Sequence, residues 1–126
     1  ELLNGSPSLP RYQALKAHTL ETFATHLQRI GKLESAEQNL SEALRIYQRL
    51  SADSPQLGVY ETRLTQTLES MADLKLRQGD TRQAMIYLER AIRRLQPRLR
   101  RPVVSPVARV QLQRMRQKLE RLNSQS

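Results

Sequence analysis

The chain contains the stretch LETFATHLQRIGKLESAEQNLSEALR at residues 20–45 and, 48 residues later, the similar stretch LESMADLKLRQGDTRQAMIYLERAIR at residues 68–93. The two stretches share a leucine–glutamate pair, one glycine and several alanines at matching places. The identical pairs are Leu20 and Leu68, Glu21 and Glu69, Ala24 and Ala72, Arg29 and Arg77, Gly31 and Gly79, Ala36 and Ala84, Leu40 and Leu88, Ala43 and Ala91, and Arg45 and Arg93. A repeat of about 20 to 50 residues is typical of stacked supersecondary units. The sequence therefore predicts two helical hairpins of the same design.

The apolar and small residues around each glycine recur with the spacing of an α-helix. We predict helices over about residues 10–30, 34–52, 55–78, 81–96 and 106–122 from this spacing. Gly31 and Gly79 are expected to end the first and third helices in the left-handed conformation. Ser54 is expected to cap the third helix, with Pro55 in its first turn, and Asp80 or Thr81 to cap the fourth. Because both repeats place alanines at helix crossings, we expect Ala43 and Ala91 to be buried.

The net charge of the chain lies entirely at its C-terminal end. Residues 1–92 contain eleven basic and eleven acidic residues, whereas residues 93–126 contain ten basic residues and one glutamate, which gives the whole net charge of +9. Such an asymmetry raises a nucleic acid, an anionic membrane or an acidic protein as a ligand of this segment. The alternative is a fifth helix whose arginines only keep it in solution.

Composition limits the class of protein. A length of 126 residues suggests one domain with an aliphatic core, since there are one Phe, four Tyr and no Trp. No apolar run approaches the about 20 residues of a membrane span, and the absence of cysteine excludes disulfides. We expect a soluble, cytoplasmic segment of a longer protein. It divides into a disordered linker or cloning remnant at residues 1–9, the two hairpins at 10–97, and a basic joint with a C-terminal helix at 98–126.

Catalytic and metal-binding chemistry find no support in the sequence. The two histidines, His18 and His26, have no further ligands at metal-binding spacing. Four glycines form no phosphate-binding loop, and no serine lies in a strand-turn-helix motif. Carboxylate pairs such as Glu34 and Glu37 are more typical of a solvated helix face than of acid–base catalysis. We therefore expect no enzymatic activity, no cofactor and no bound metal.

The units Leu20–Ala43 and Leu68–Ala91 resemble the tetratricopeptide repeat. The resemblance depends on a leucine and an alanine four residues apart in the first helix, the turn glycine, and an alanine, a leucine and an alanine in the second helix. The spacing of 48 residues exceeds the family's usual period of about 34 and is similar to its long-helix bacterial variety. The resemblance covers about residues 12–97. It departs from the family at Lys75, which stands where the first repeat has Leu27, and in having two repeats instead of three.

The resemblance implies an all-α fold, in which two antiparallel helical hairpins stack as an α-solenoid and a fifth helix caps the second hairpin. It also implies a non-catalytic scaffold or adaptor, because the first helices of such hairpins line a groove that holds a protein or peptide partner. The residues at the groove positions are His18, Glu21, Thr25, Gln28, Gln66, Glu69, Asp73 and Leu76. Their summed charge is acidic, so we expect a basic or polar partner segment. The alternative is a solvated polar face without a ligand.

A second hypothesis assigns binding of nucleic acid or another polyanion to the basic segment. The cations concerned are Arg98, Arg100, Arg101, Arg109, Arg114, Arg116, Lys118 and Arg121. This segment lacks aromatic residues on which bases could stack. We also expect the joint arginines Arg98, Arg100 and Arg101 to contact the acidic groove, within one chain or between chains, and to compete there with an external ligand. The two-repeat domain is expected to self-associate or to depend on its fifth helix.

Overall fold

The computed structural model describes residues 8–97 and 106–125, and these form five α-helices. The helices are α1 (Ser8–Arg29), α2 (Leu33–Asp53), α3 (Gly58–Arg77), α4 (Thr81–Leu95) and α5 (Pro106–Gln125). Because the described ranges contain helices and no strand, the prediction of an all-α fold is confirmed. The chain enters α1 at Ser8, two residues before the predicted start, with Pro10 in the first turn, where a proline is tolerated. Arg98, Arg100 and Arg101 of the predicted joint lie outside the described residues.

Both turn glycines adopt the predicted left-handed conformation, each with φ of 83°. After α1, the N–H of Lys32 donates to the carbonyl of Leu27 at 2.8 Å and that of Gly31 to Gln28 at 3.1 Å. After α3, the corresponding donors of Asp80 and Gly79 bond Lys75 at 2.8 Å and Leu76 at 3.0 Å. This double hydrogen bond closes a helix end around a residue of positive φ, which glycine adopts most easily.

The starts of α3 and α4 differ in how well the sequence predicted them. Asp80 caps α4, since its carboxylate accepts from the N–H of Gln83 at 3.1 Å. The expectation that Ser54 caps α3 is wrong, because the carbonyl of Ser54 accepts from the N–H of Leu57 at 3.0 Å in a tight turn. Pro55 fits the second position of such a turn as well as the first turn of a helix. The helix therefore begins only at Gly58.

The contacts of the chain form two compact units that divide within α3, between Thr67 and Leu68. In the first unit, α1 and α2 form an antiparallel hairpin, and the Ser51 hydroxyl donates to Glu61 of α3 at 2.8 Å. In the second unit, α4 and α5 pack together beside the second half of α3. Buried apolar side chains occur in both units.

Alanines are fully buried in both units. The six alanines of the repeat pattern, Ala24, Ala36, Ala43, Ala72, Ala84 and Ala91, all have 0% relative exposure. A methyl group at a crossing lets two helix axes approach to about 8 Å, the lower end of the usual range. Large side chains fill the space on either side, among them Tyr47 in the first unit and Leu88 in the second. Leu74, next to the half-buried Lys75, is fully buried, so the core includes an apolar side chain beside that departure from the repeat.

Replacing Ala91 by Arg is expected to lower the free energy of unfolding by about 3 to 5 kcal/mol, because it combines overpacking with an unpaired buried charge. Ile86→Arg adds the same charge to the exposed side of α4 and is the matched control. Urea denaturation followed by circular dichroism measures both variants. Equal midpoints for the two would contradict a tight crossing at Ala91.

Candidate interaction surfaces

The two glutamates at matching positions of the repeats each bind a later helix of the chain. Glu21 binds α3, and Glu69 binds α5. In the first unit, Glu21 of α1 is half-buried and accepts a hydrogen bond from the Thr67 hydroxyl of α3. The buried Tyr47 hydroxyl of α2 donates to the other oxygen of this carboxylate at 3.5 Å. Burial of the phenol, together with the neighbouring carboxylate charge, raises the pKa of Tyr47 to about 12. Glu21 therefore connects three helices of its unit.

In the second unit, Glu69 holds α5 against α3. Glu69 is 7% exposed, and its carboxylate accepts two hydrogen bonds from Arg114, at 2.7 Å from Nε and 2.6 Å from Nη2. Lys118 donates to Glu69 at 2.8 Å and to Asp73 at 3.1 Å. Two parallel N–H donors of one guanidinium form the strongest common geometry for a carboxylate. The order of the pairs shows that α3 and α5 run in the same direction here.

The electrostatics of this cluster follow from burial and pairing. Burial alone would favour the neutral acid, but hydrogen bonds from Arg114 and Lys118 outweigh it and hold the pKa of Glu69 below its ordinary value. Burial likewise opposes the charge of Lys118, while Glu69 and Asp73 raise its pKa overall. The cluster thus stays ionised at neutral pH.

In the 48-residue register of the repeat, the sequence of α5 aligns with α1 and α3, the first helices of the two hairpins. It begins at Pro106, 48 residues after the start of α3 at Gly58. Its buried Leu112 and Met115 match the buried Leu64 and Thr67 of α3. However, the positions of Leu68 and Ala72, buried in α3, are taken by the exposed charges Arg116 and Glu120 in α5. Helix α5 therefore buries the side that contains Leu112 and Met115. Its charged residues Arg116 and Glu120 lie exposed at positions that are apolar and buried in α3.

The predicted groove residues divide into exposed and engaged side chains. In the first unit, His18 and Thr25 are exposed and Gln28 and Gln66 are half-buried, whereas Glu21 is engaged with Thr67 and Tyr47. In the second unit, Leu76 is half-buried, and Glu69 and Asp73 bind α5. The acidic side chains expected to form one open face are thus partly occupied by cations of the same chain. The sequence carried a signal for this, since Glu69 and Asp73 have the same four-residue spacing as Arg114 and Lys118.

The cations of the polyanion hypothesis do not form one free set. Arg114 and Lys118 are ion-paired with Glu69. Arg109, Arg116 and Arg121 are exposed on α5. The three arginines of the joint lie outside the described residues. The contact predicted for these joint arginines with the acidic groove positions therefore stays a prediction, while Arg114 and Lys118 of α5 pair with Glu69 and Asp73.

An apolar stripe on the outer side of α1 was not anticipated from the sequence. Tyr12, Leu15, Phe23 and Ile30 are each between 53% and 62% exposed. With Thr19 and His26 they follow one another at intervals of three or four residues, so all six lie along one side of the helix. The rings of Phe23 and His26 stack with their centroids 6.2 Å apart. We call these six residues the α1 stripe.

The repeat gives the α1 stripe a buried counterpart on α3. Thr19, Phe23 and His26 match Thr67, Met71 and Leu74, which are 0 to 1% exposed. The same positions of the repeat are therefore exposed to solvent in α1 and buried in α3. An apolar surface of this kind on a folded chain usually marks an interaction site.

No family model matches this chain, and comparisons with curated proteins and with solved structures found no significant similarity. Across residues 8–97 and 106–125, no three His, Cys, Asp or Glu side chains are grouped as metal ligands. No described helix is long and apolar enough to cross a membrane.

Replacing Glu69 by Gln is expected to lower the free energy of unfolding by about 1 to 3 kcal/mol at neutral pH, since Arg114 is half-exposed and can return to water. The folded-state pKa of Glu69 lies below its unfolded value of about 4.3. Its contribution is therefore complete above that pH and is lost as the pH falls through the folded pKa. Denaturation curves from neutral to acid pH should show a shallower acid limb for Glu69→Gln than for the control Glu34→Gln, an exposed glutamate. Identical acid limbs would argue against the cluster.

Replacing Met115 by Asp should detach α5, because this fully buried side chain would carry an unpaired charge. We expect lower helix content and a concentration-dependent increase in mass by light scattering, as the uncovered apolar surface associates. Arg116→Asp, on the exposed side of the same helix, is the control. A monomeric, fully helical Met115→Asp variant would mean that α5 covers nothing essential.

Proposed function

We propose that this protein is a non-catalytic protein-interaction module, a helical scaffold of the tetratricopeptide type, that binds a protein partner through α1. The observation that carries the proposal is the α1 stripe, whose counterpart on α3 is buried. Its four large apolar residues lie in one row instead of being scattered over the surface. The sequence resemblance to a family of binding scaffolds supports the same class of function.

The energy available from the stripe is consistent with partner binding. Covering the exposed half of four large apolar side chains is worth about 3 to 6 kcal/mol, at about 1.5 to 3 kcal/mol for each complete burial. Association costs a comparable amount in lost freedom of the two molecules. The stripe alone therefore supports weak association, and a stable complex needs polar contacts around it.

The groove predicted from the resemblance offers less free surface. Its exposed members on α1, His18 and Thr25, lie roughly 100° to 120° around the helix from the centre of the stripe. Its acidic members in the second unit already bind Arg114 and Lys118. For the same reason we do not favour the polyanion hypothesis, because that pairing neutralises two of the cations it requires.

The test of this proposal is a photo-crosslinking amino acid incorporated at residue 23 in the organism that makes the protein. The matched control carries the same amino acid at residue 25, on the groove side of α1. We expect a covalent adduct with a protein partner from position 23 and little from position 25. Phe23→Ser should release the partner without changing the circular dichroism spectrum, whereas His18→Ala combined with Thr25→Ala should retain it. Adducts from position 25 alone would assign binding to the groove instead.

A further inference from the structure

We propose that the segment bound on the α1 stripe is an amphipathic α-helix with acidic residues on both edges of its apolar side. This inference rests on the proposed function and specifies its partner. Three independent features of the first unit point to it: the register of the stripe, the arginines around it, and a cleft at one end.

The register of the stripe favours a helical ligand. The stripe runs from Tyr12 to Ile30, about 27 Å along the helix axis at 1.5 Å per residue. Its counterpart on α3 receives a carboxylate from a helix, since Glu21 of α1 accepts from the Thr67 hydroxyl. Thr19 is the matching threonine, and each of the two hydroxyl oxygens lies 2.9 Å from the carbonyl oxygen four residues earlier. Because a hydroxyl has a single proton, it donates either to that carbonyl or to a carboxylate placed beside it. A helix with a carboxylate in the place of Glu21 can thus approach Thr19 as α1 approaches Thr67.

Arginines frame the stripe on both sides. Arg11 and Arg29 lie on one edge, each about 80° from the centre of the stripe. Arg45 and Arg49 of α2 lie on the other edge. All four are exposed, and none makes an ion pair anywhere in the described parts of the chain. Lys16, between the stripe and α2, is already paired with Glu42 at 3.3 Å. Unpaired cations on both edges select carboxylates on both edges of the ligand.

A cleft of about 410 Å³ opens between α1 and α2 beside the first half of the stripe. Leu9, Ile46 and Leu50 contribute its apolar lining. Its charged lining consists of Lys16, Arg45 and Arg49 together with the carboxylates of Glu42 and Asp53, so cations exceed anions by one. A volume of this size accepts a large apolar side chain. The cleft would therefore hold one anchoring residue of the bound helix, flanked by its acidic residues.

A second copy of this chain fits the surface poorly. In a two-fold arrangement, the stripes of two antiparallel α1 helices would place Arg11 of one copy near Arg29 of the other. Like charges at such positions oppose association. The net charge of +9 acts in the same direction.

The test uses the full chain and two synthetic helical peptides, each with one apolar side. The first peptide has glutamates on both edges of that side, and the second has lysines at the same positions. Fluorescence anisotropy at moderate salt should show at least tenfold tighter binding of the glutamate peptide. Phe23→Ser should weaken that binding at least tenfold, and Thr19→Val a few-fold. Raising the salt concentration should reduce the preference between the peptides.

Charge reversal provides the sharpest control. Changing Arg11, Arg29, Arg45 and Arg49 together to Glu should invert the preference toward the lysine peptide. Changing Arg82, Arg93, Arg109 and Arg116 to Glu alters the net charge of the chain equally, at exposed positions outside the first unit. This second variant should keep the preference for the glutamate peptide. If both variants invert it, the preference comes from net charge and the inference is wrong.

The remaining outcomes separate this inference from the proposed function. Equal binding of both peptides, weakened by Phe23→Ser, would overturn the acidic chemistry while the function stands. No binding of either peptide, with crosslinks still formed at residue 23, would overturn the helical ligand alone. A dimer that Phe23→Ser dissociates would replace the partner helix by a second copy.

Discussion

Complete burial of the alanines of the repeat is the constraint on which the rest of this structure depends. When two helix axes approach to about 8 Å, only a methyl group fits at the crossing, and the larger side chains must lie beside it. The crossing therefore decides which side of each helix is buried. In α1 that side includes Ala17 and Ala24, and it leaves the apolar residues of the opposite side without a neighbour among the described elements of the first unit. The α1 stripe is thus a consequence of how the hairpin packs.

The two repeats place a glutamate at the same position, but the groups that donate hydrogen bonds to it differ. Glu21 receives two neutral hydroxyls, from Thr67 and Tyr47, whereas Glu69 receives two cations. A nearly buried carboxylate needs donors for its charge, and cations compensate burial better than hydroxyls do. The stronger pairing lies on α5, which follows the hairpins and joins its unit through side-chain contacts. The ion pairs of Glu69 with Arg114 and Lys118 therefore fix the orientation of α5 against α3, which the alanine pattern of the repeat does not do.

Features set by local geometry could be predicted, and features set by neighbours could not. Gly31, Gly79 and the alanines were predictable, because a turn of positive φ and a close crossing each admit few residue types. The turn at Pro55 was not, because proline suits two local structures and the choice depends on packing. Helical spacing in α1 defined a side of the helix but could not show whether anything covers Phe23. Likewise, helical spacing placed Glu69 on α3, but its pairing with Arg114 and Lys118 depends on the placement of α5.

The position of net charge along the chain is a weaker guide to a ligand than the position of unpaired charge next to apolar surface. The C-terminal segment contains the whole excess of positive charge, yet two of its cations neutralise acidic residues of α3. The first unit contains fewer basic residues, but four exposed arginines there border a row of exposed apolar side chains and a cleft. Charge beside apolar surface acts at short range, where water is displaced as the ligand binds and each ion pair is less screened. We therefore propose the arginines around α1, and not the more numerous arginines after residue 93, as the charges that select a ligand.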